Sequence, residues 1–404
     1  MRFQPCGSMS VAIFVNYLNA TVADCRYNDF MESLFLHEFH HNLGARFAEV
    51  SGVEVVSDYG DWLAEHAALR ENAGVLDLSF RGRICLAGND RVRFLHGQVT
   101  NDVKKLAAGS GCYAALTTAK GRMEGDLNIF CLPDELLLDF EHGLTGKISK
   151  RLEKFIIADD VQIVDAAPGY GLLSVQGPKA EAVIRAIGLF TEIPAKPFDV
   201  VKISDATPGE IYLANQPRLG TNGFDLFVPN NSIAAVTDKL IAAAGQIGGL
   251  VAPRQGEGGR ACGWRAFETA RIEAGIPRFG ADMDGTNLPL ECGIENRAVS
   301  YNKGCYIGQE VINRIHSVGH VTRELRGLRL ADDLPSLPQR GDKLFRDGRE
   351  NGFVTSAIKS PVLNANIALG YVRCEAGQIG TELGLRTAAG ESPAKIVELP
   401  FVKR

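Results

Sequence analysis

The pattern of secondary-structure signals changes at about Arg323, and this change constrains the fold most strongly. From there to the C-terminus, short apolar and β-branched runs alternate with turn residues, and no run has helical periodicity. Several short strands with regular turn signals are typical of a small sandwich or barrel. We therefore predict a C-terminal β-domain over 323–404. Its predicted strands are 327–330, 343–345, 352–358, 368–372, 382–385 and 394–398.

The region before this domain, 31–322, mixes helix and strand signals. Helical spacing of apolar residues covers 35–50, 61–72 and 264–274, and Asn42-Leu43-Gly44 supplies a stop signal within the first of these ranges. Residues 111–130 have the alternating side-chain pattern of two strands that are joined by a tight turn. Gly121 lies where the chain would reverse and a glycine is needed. Strands and helices alternate along this region, but without the regularity of a doubly wound sheet. The fold class is therefore predicted to be α+β.

The length of 404 residues is too great for one ordinary core, so two or three domains are expected. Residues 1–30 lack periodicity, and Met31 would make an equally good start, so we expect 1–30 to be a poorly ordered or wrongly included extension. No apolar run approaches the roughly 20 residues of a spanning helix.

Charge and cysteine usage exclude several classes of protein. The chain has 43 Lys and Arg against 48 Asp and Glu, a formal net charge of −5, so it has no overall attraction to nucleic acid or to anionic membranes. The nine cysteines are scattered, and none form a C-x-x-C pair. This usage suits a reducing cytoplasm and excludes zinc ribbons and thioredoxin-like motifs.

Two motifs resemble known ligand sites only weakly. Residues 37–41, HEFHH, match the H-E-x-x-H zinc pattern, but the pattern is short and no third ligand stands in a metalloprotease frame. The alternative is a surface helix with histidines on its polar side. Residues 256–260, GEGGR, lack the strand and the Gly-Lys-Ser/Thr of a phosphate-binding loop, so a flexible loop is expected there.

Asp126 is a candidate for acid–base or ligand chemistry. It lies at the start of an apolar strand, beside a basic turn that carries Lys120 and Arg122. A carboxylate in that place can bind ring nitrogens of a heterocycle or manage a proton. The alternative is a strand-edge charge held by the neighbouring arginine, and spacing alone favours this alternative.

Cys305 lies in the short run YNKGCYIGQE, residues 301–310. Lys303 is close in sequence, and a nearby cation lowers the pKa of a thiol and makes thiolate available. No histidine is recognisably placed to complete a Cys-His pair, because His316 and His320 are merely downstream. The residues alone leave two alternatives open, a structural cysteine and a reactive thiol.

Several runs along the chain resemble one family. In the second half these are RIEAGIPRFG (271–280), LPLE (288–291) and KGCYIGQE (303–310). They look like the aminomethyltransferase (glycine cleavage T-protein) superfamily, and more closely its YgfZ branch of folate-binding proteins linked to iron–sulfur cluster assembly. Further similar runs are LDLS (76–79), RFLHGQVTND (93–102), KFIIADD (154–160), GFVTS (352–356), SP (360–361) and IALGY (367–371).

The resemblance implies a three-lobed fold, in which two interleaved, mixed α+β lobes over 31–322 form a folate pocket and an antiparallel β-barrel follows. It also implies that the N-terminal helix at 35–46 binds no metal. Tetrahydrofolate or a derivative is the implied cofactor. Asp126 lies at the position of the T-protein aspartate that faces the one-carbon end of the folate, and Cys305 is the implied functional thiol. The other implied folate-site residues are Arg122, Tyr113, Arg218, Gly220, Gly223, Asp225, Lys303, Gln309 and Glu310.

The sequence departs from the T-protein pattern at three folate-contacting positions. Thr221 or Asn222 stands where T-proteins carry a glutamate, Phe267 replaces an arginine, and Asn296 replaces an aromatic residue. The cysteine at 305 and the glutamine at 309 are instead the YgfZ signature.

These features together predict a cytoplasmic, tetrahydrofolate-binding protein that acts in assembly or repair of iron–sulfur enzymes. The expected partners are a reduced folate and iron–sulfur proteins or their assembly factors, with no nucleic acid or membrane, and the chain is expected to be a monomer or weak dimer. Whether it catalyses a reaction stays open. The alternatives are an aminomethyltransferase, a related folate-dependent demethylase, and a scaffold that binds no folate.

Overall fold

The structure, a computed structural model, describes residues 33–205, 209–247 and 259–403. The prediction for residues 1–30 and most of the glycine-rich run at 256–260 therefore lie outside the described residues. Within the described ranges, no helix is both long and apolar enough to cross a membrane. The helices are α1 (His37–Asn42), α2 (Trp62–Glu71), α3 (Arg91–Gln98), α4 (Thr145–Glu153), α5 (Ala180–Ala186), α6 (Ile233–Gln246), α7 (Trp264–Glu273), α8 (Glu295–Ala298) and α9 (Gln309–Val318).

The strands are distributed along the whole described chain. In chain order they are β1 (Arg46–Val50), β2 (Val53–Asp58), β3 (Gly74–Asp77), β4 (Gly82–Ala87), β5 (Ser110–Thr117), β6 (Met123–Cys131), β7 (Leu136–Phe140), β8 (Gln162–Asp165), β9 (Tyr170–Gln176), β10 (Val200–Asp205), β11 (Gly209–Asn215), β12 (Gly223–Pro229), β13 (Arg260–Ala261), β14 (Arg323–Leu330), β15 (Lys343–Arg346), β16 (Arg349–Ser360), β17 (Ala365–Arg373), β18 (Glu382–Thr387) and β19 (Gly390–Val397).

Two sheets organise the region before the barrel. The first lobe contains an antiparallel five-stranded sheet in the order β5-β6-β7-β4-β8. The second contains a six-stranded sheet in the order β10-β11-β12-β9-β3-β13, in which only β13 and β3 are parallel. Because β3 and β9 pair across the chain segment that builds the whole first sheet, the two lobes are interleaved in sequence.

The hairpin of β5 and β6 confirms the predicted turn. Gly121 has a φ of +72°, a conformation that favours glycine, and its N–H donates to Thr118 O at 2.9 Å. The register then sets Ala115 opposite Asp126 in the middle of the hairpin. The turn chemistry therefore determines which residues of β6 face the interior of the first lobe.

Helix α2 also follows its prediction, because Asp61 supplies a cap. The Asp61 carboxylate accepts a hydrogen bond from Ala64 N at 3.0 Å and satisfies a backbone donor of the first turn. Helix α1 ends at the predicted stop signal, short of the end of the helical apolar spacing. It ends at Asn42, Gly44 follows with a φ of +79°, and residues 46–50 form a strand that pairs with β2. The apolar spacing that continued to residue 50 belongs to this hairpin.

The C-terminal region is a closed antiparallel barrel in the order β14-β17-β16-β15-β18-β19, sealed by pairing of β14 with β19. Every strand predicted after Arg323 overlaps one of these strands. The interior is filled by aliphatic side chains such as Leu328, Val354, Leu385 and Ile396, all of which are fully buried. The mixed α+β lobes and the C-terminal barrel confirm the predicted fold class.

Candidate functional site

Asp126 lies at the centre of the most chemically unusual part of the molecule. Its Oδ2 accepts a hydrogen bond from the Tyr113 hydroxyl at 2.8 Å, across the β5–β6 hairpin. Its Oδ1 is buried and has no hydrogen-bond partner among the described residues. Buried polar atoms in folded proteins nearly always have partners, so an oxygen of this kind indicates a functional position.

The electrostatic surroundings place the Asp126 carboxyl near neutrality. Burial raises its pKa to about 6, and the charge of Glu141 acts in the same direction. The Tyr113 hydrogen bond and Arg81 oppose this rise. A carboxyl with such a pKa can hold or release a proton close to physiological pH, as general acid–base catalysis requires.

A buried group of alternating charges lies next to this carboxyl. Arg81 donates to Asp139 Oδ1 at 2.8 Å and also pairs with Glu141. Arg278 donates to the other oxygen of Glu141 at 3.3 Å. Arg81 and Arg278 hold the pKa of Glu141 below its usual range against the effect of burial, so Glu141 stays ionised. This negative charge helps to keep the pKa of Asp126 high.

The predicted residues Arg218 and Asp225 belong to the same charge group and not to an open surface. Arg218 bridges Asp139 at 2.8 Å and Asp225 at 2.6 Å. Asp225 is fully buried, and its Oδ1 also accepts from Ser174 at 2.7 Å. Both residues are therefore structural supports of the site. Gly220 has a φ of +72°, and Gly223 begins β12 against the side chain of Gln176.

An aromatic cavity of about 160 Å³ adjoins the charge group. Its lining includes Glu141, Arg278, Phe80 and Trp264. The Arg278 guanidinium lies 5.1 Å from the centroid of the Trp264 ring, and Phe80 packs edge-on against the same ring. A cationic group over an indole beside a carboxylate can recognise a flat, polar heterocycle.

A larger cleft of about 800 Å³ opens between the lobes and the barrel, and Arg297 and Cys292 are among its lining residues. The Arg297 guanidinium lies 5.3 Å from the centroid of the Tyr113 ring. Tyr113 therefore links this cleft to Asp126. The volume lies within the range of small-molecule sites.

The structure does not bring Arg122 to Asp126. Arg122 Nη1 donates to Thr286 O at 2.6 Å and lies 3.6 Å from Glu291. It lines a different cavity, of about 500 Å³, together with Arg323 and Phe353 of the barrel. In the described part of the chain, Asp126 makes no hydrogen bond or ion pair with Arg122, so contact does not support the predicted place of Arg122 in the folate pocket.

The Lys303 ammonium is bound by the main chain at and just after the end of α3. All three N–H bonds of its ammonium donate to main-chain carbonyls, those of His96 and Val99 at 2.6 Å and that of Asn101 at 2.8 Å. Lys303 is thus an anchor for the end of α3. Cys305 itself is exposed, and Gln309 and Glu310 form the first turn of α9.

Of the two histidines that match the H-E-x-x-H motif, His37 has a side-chain partner and His41 is exposed. His37 Nδ1 lies 2.8 Å from Glu54 Oε2. His40 is buried, with Nε2 2.9 Å from Asp77 and Nδ1 2.8 Å from the Tyr59 hydroxyl. Helix α1 is therefore held against β2 and β3 by His37 and His40.

Sequence reasoning missed Arg81, Glu141, Arg278 and Arg297. These residues are far apart in the chain, and only the sheet order and the return of the chain after α7 bring the first three together. No spacing signal could have found them. The weak signal that existed was a carboxylate, Glu141, directly after the apolar strand β7.

The fold and site define an α+β protein with two interleaved lobes and a C-terminal barrel, in which a half-buried carboxylate has one buried oxygen. Residues 36–303 match the GCVT N-terminal domain, and residues 323–403 match the glycine cleavage T-protein C-terminal barrel domain. The chain belongs to the glycine cleavage T-protein family. Proteins of the aminomethyltransferase family use tetrahydrofolate as substrate or cofactor, as expected from the sequence.

Relatives match over nearly the whole chain. An aminomethyltransferase from Symbiobacterium thermophilum is 30% identical over 384 residues, which cover 93% of this chain and 98% of the relative. An aminomethyltransferase from Bacillus subtilis is 28% identical and covers 91% of this chain and 98% of its own length. The crystal structure of glycine cleavage system aminomethyltransferase T from Bartonella henselae has the same fold, with a TM-score of 0.80, 24% identity, and coverage of 92% and 98%. These comparisons support the T-protein superfamily and do not extend to the YgfZ branch.

Proposed function

We propose that this protein is a folate-dependent one-carbon transferase that moves an aminomethyl-derived carbon to tetrahydrofolate. The single observation that supports this most is the Asp126 carboxyl, which combines a buried, unpartnered Oδ1 with a pKa of about 6. The names of its relatives point in the same direction.

The residues around Asp126 fit a reduced folate. A bound tetrahydrofolate would supply the nucleophilic nitrogen that receives the carbon. Asp126 Oδ1 would accept a hydrogen bond from the folate and hold or release a proton there, while Tyr113 keeps the carboxylate oriented through Oδ2. Trp264 and Phe80 would exclude water and offer an aromatic surface, and Arg278 would contribute a fixed positive charge.

The substitution Asp126→Asn tests this proposal. It keeps the size of the side chain but removes the proton-accepting carboxylate, so the rate of one-carbon transfer from an aminomethylated lipoyl carrier protein to tetrahydrofolate should fall about 10²–10⁴-fold. Asp134→Asn is the matched control, because Asp134 is an exposed aspartate in the loop after β6. Equal transfer rates for the two variants would contradict the proposal.

A second candidate function follows from the departures at Phe267 and Asn296 and from Cys305. We infer that a YgfZ-like role in assembly or repair of iron–sulfur enzymes would use Cys305 as its functional thiol. The specific observation that favours this role is the exposure of Cys305, whereas Cys85, Cys131, Cys262 and Cys292 are buried.

The second candidate is tested by complementation of a strain that lacks the gene. Iron–sulfur enzyme activities should fall without the protein, return with the unaltered chain, and stay low with Cys305→Ala. Cys374→Ala is the matched control, because Cys374 is also exposed. Full rescue by Cys305→Ala, or normal activities in the deleted strain, would rule this function out.

A further inference from the structure

Three arginines line the cavity of about 500 Å³ between the β5–β6 turn and the barrel, which we call the arginine cavity. Arg122 comes from the turn, Arg323 begins β14, and Arg373 ends β17. In the register of β14 and β17, Arg323 and Arg373 are directly opposite each other. Because like charges in this position destabilise a sheet, the pairing requires negative charge nearby.

The guanidinium groups of Arg122 and Arg323 lie side by side, because they share their acceptors. Arg122 Nη1 and Arg323 Nη2 both donate to Thr286 O, at 2.6 and 3.0 Å. Oε2 of Glu291 lies 3.6 Å from Arg122 and 3.4 Å from Arg323. Glu291 is buried, and the same Oε2 also accepts from Leu288 N at 3.2 Å. One buried carboxylate oxygen therefore serves two guanidinium groups.

Other carboxylates near the arginine cavity have cationic partners of their own. Glu350 also lines the cavity, but its carboxylate pairs with Lys343 at 2.8 Å. Asp284 pairs with Arg340 at 2.7 Å. Among the described residues, the side chain of Arg373 makes no hydrogen bond or ion pair. Three guanidinium charges thus face one carboxylate, which leaves a surplus of two positive charges in the cavity.

Two aromatic rings of the cavity hold cations in place. The Arg323 guanidinium lies 5.0 Å from the centroid of the Tyr371 ring and 5.6 Å from that of Phe353. Lys343 Nζ lies 5.7 Å from the same Phe353 centroid. The face of an aromatic ring attracts a cation, so these rings fix the position of the positive charge. The charge, and not an open apolar surface, decides what the cavity can bind.

We propose that the arginine cavity binds a small phosphate monoester. Such a group carries about two negative charges at pH 7, which matches the surplus. Its three terminal oxygens can accept hydrogen bonds from three guanidinium groups, whose forked donors suit phosphate. A single carboxylate has one charge and two oxygens, so it would leave part of the surplus uncompensated. The volume lies within the range of small-molecule sites.

This site goes beyond one-carbon transfer and does not depend on folate. In the described part of the chain, Asp126 makes no hydrogen bond or ion pair with Arg122, Arg323 or Arg373. The first lobe supplies one of the three arginines and the barrel supplies the other two. A phosphate bound between them contacts both parts of the molecule and should therefore raise the melting temperature of the protein.

Isothermal titration calorimetry of the full chain, in a low-salt buffer without phosphate, tests the proposal. Glycerol 3-phosphate and adenosine 5′-phosphate share the phosphate monoester and differ in the group attached to it. Glycerol, adenosine and succinate are the comparisons without phosphate. We expect saturable binding of at least one of the two phosphates, with a Kd at least about tenfold below that of succinate. The tighter of the two identifies the ligand as a polyol phosphate or a nucleotide.

Arg373→Gln is the most direct variant, because the side chain is exposed and has no partner in the described chain whose loss would affect folding. It removes one donor to a charged ligand, so the Kd of the phosphate should rise about tenfold. Arg349→Gln is the matched control, because Arg349 is an exposed arginine of β16 outside the cavity lining. Arg323→Gln should weaken binding further, and circular dichroism verifies that each variant is folded.

Three results would overturn the proposal. The first is the absence of saturable binding of either phosphate at millimolar concentration. The second is equally tight binding of succinate, which would show that the cavity does not select phosphate. The third is an equal Kd of the phosphate for Arg373→Gln and Arg349→Gln.

Discussion

At the scale of single residues, the central feature is a carboxyl whose two oxygens have different surroundings. Asp126 Oδ2 is bound by Tyr113, whereas Oδ1 has no partner among the described residues. Burial alone would favour the protonated form, and the Tyr113 hydrogen bond favours the ionised form. These two effects, together with the opposing charges of Glu141 and Arg81, place the pKa of Asp126 at about 6.

Removal of the Tyr113 hydroxyl tests this balance. In Tyr113→Phe the ionised carboxylate loses a hydrogen bond worth about 1.5–3 kcal/mol, so the pKa of Asp126 should rise by about 1–2 units. If transfer requires the ionised form, the acid limb of the pH–rate profile should move to higher pH by the same amount. Tyr301→Phe is the matched control, because Tyr301 also donates to a carboxylate, that of Glu295. A limb that moves in neither variant would contradict the assignment.

At the scale of elements, local signals predicted the β5–β6 hairpin, α2 and the barrel strands. Gly121, the Asp61 cap and the turn residues after Arg323 act within a few residues of the chain, so their effects can be read from sequence. Helix α1 ends at its predicted stop signal, but the helical spacing up to residue 50 was misleading, because residues 46–50 pair with β2 instead. The contacts of Lys303 with α3 depend on tertiary structure, and sequence gave no signal for them.

One buried contact joins an element of the lobes to the barrel. The Asp282 carboxylate accepts from Arg271 of α7 at 2.7 Å, and from Thr355 and Ser356 of β16 at 2.6 and 2.7 Å. Burial works to raise the pKa of Asp282, but these three partners lower it below its usual value. The ionised Asp282 carboxylate thus stabilises the folded protein at pH values above its pKa in the unfolded chain, about 4. This contribution to the free energy of unfolding is lost as the pH falls through the lower pKa of Asp282 in the folded protein.

The substitution Asp282→Asn should therefore destabilise the protein at pH 7. It leaves the buried Arg271 guanidinium with one carboxylate fewer, and breaking a buried pair in this way costs about 3–5 kcal/mol of unfolding free energy. Denaturant unfolding measures the change. Asp284→Asn is the control two residues away, where a more exposed ion pair with Arg340 is worth less than about 1 kcal/mol. Identical unfolding midpoints for the two variants would show that Asp282 does not hold the barrel.

At the scale of the whole molecule, the site depends on all three lobes. The first lobe supplies Asp126 and Tyr113, the segment after the second sheet supplies Trp264 and Arg278, and the barrel closes the cleft beside Arg297. Because the two lobes are interleaved, the second sheet needs β3 from before the first sheet and β9 to β13 from after it, so it cannot form from one continuous part of the chain. The match of relatives over more than nine-tenths of the chain agrees with a single functional unit.

The central claim is that Asp126 binds a reduced folate through its ionised carboxylate, and the pH dependence of binding tests it most directly. In a Trp62→Phe background Trp264 is the single tryptophan, so quenching of its emission by tetrahydrofolate reports binding beside the site. Because the ligand prefers the ionised form and the pKa is about 6, Kd should be about tenfold weaker at pH 5 than at pH 7. In Asp126→Asn, Kd should be weak and independent of pH. A Kd that is equally pH-dependent in both proteins, or an emission that tetrahydrofolate leaves unchanged, would contradict the account.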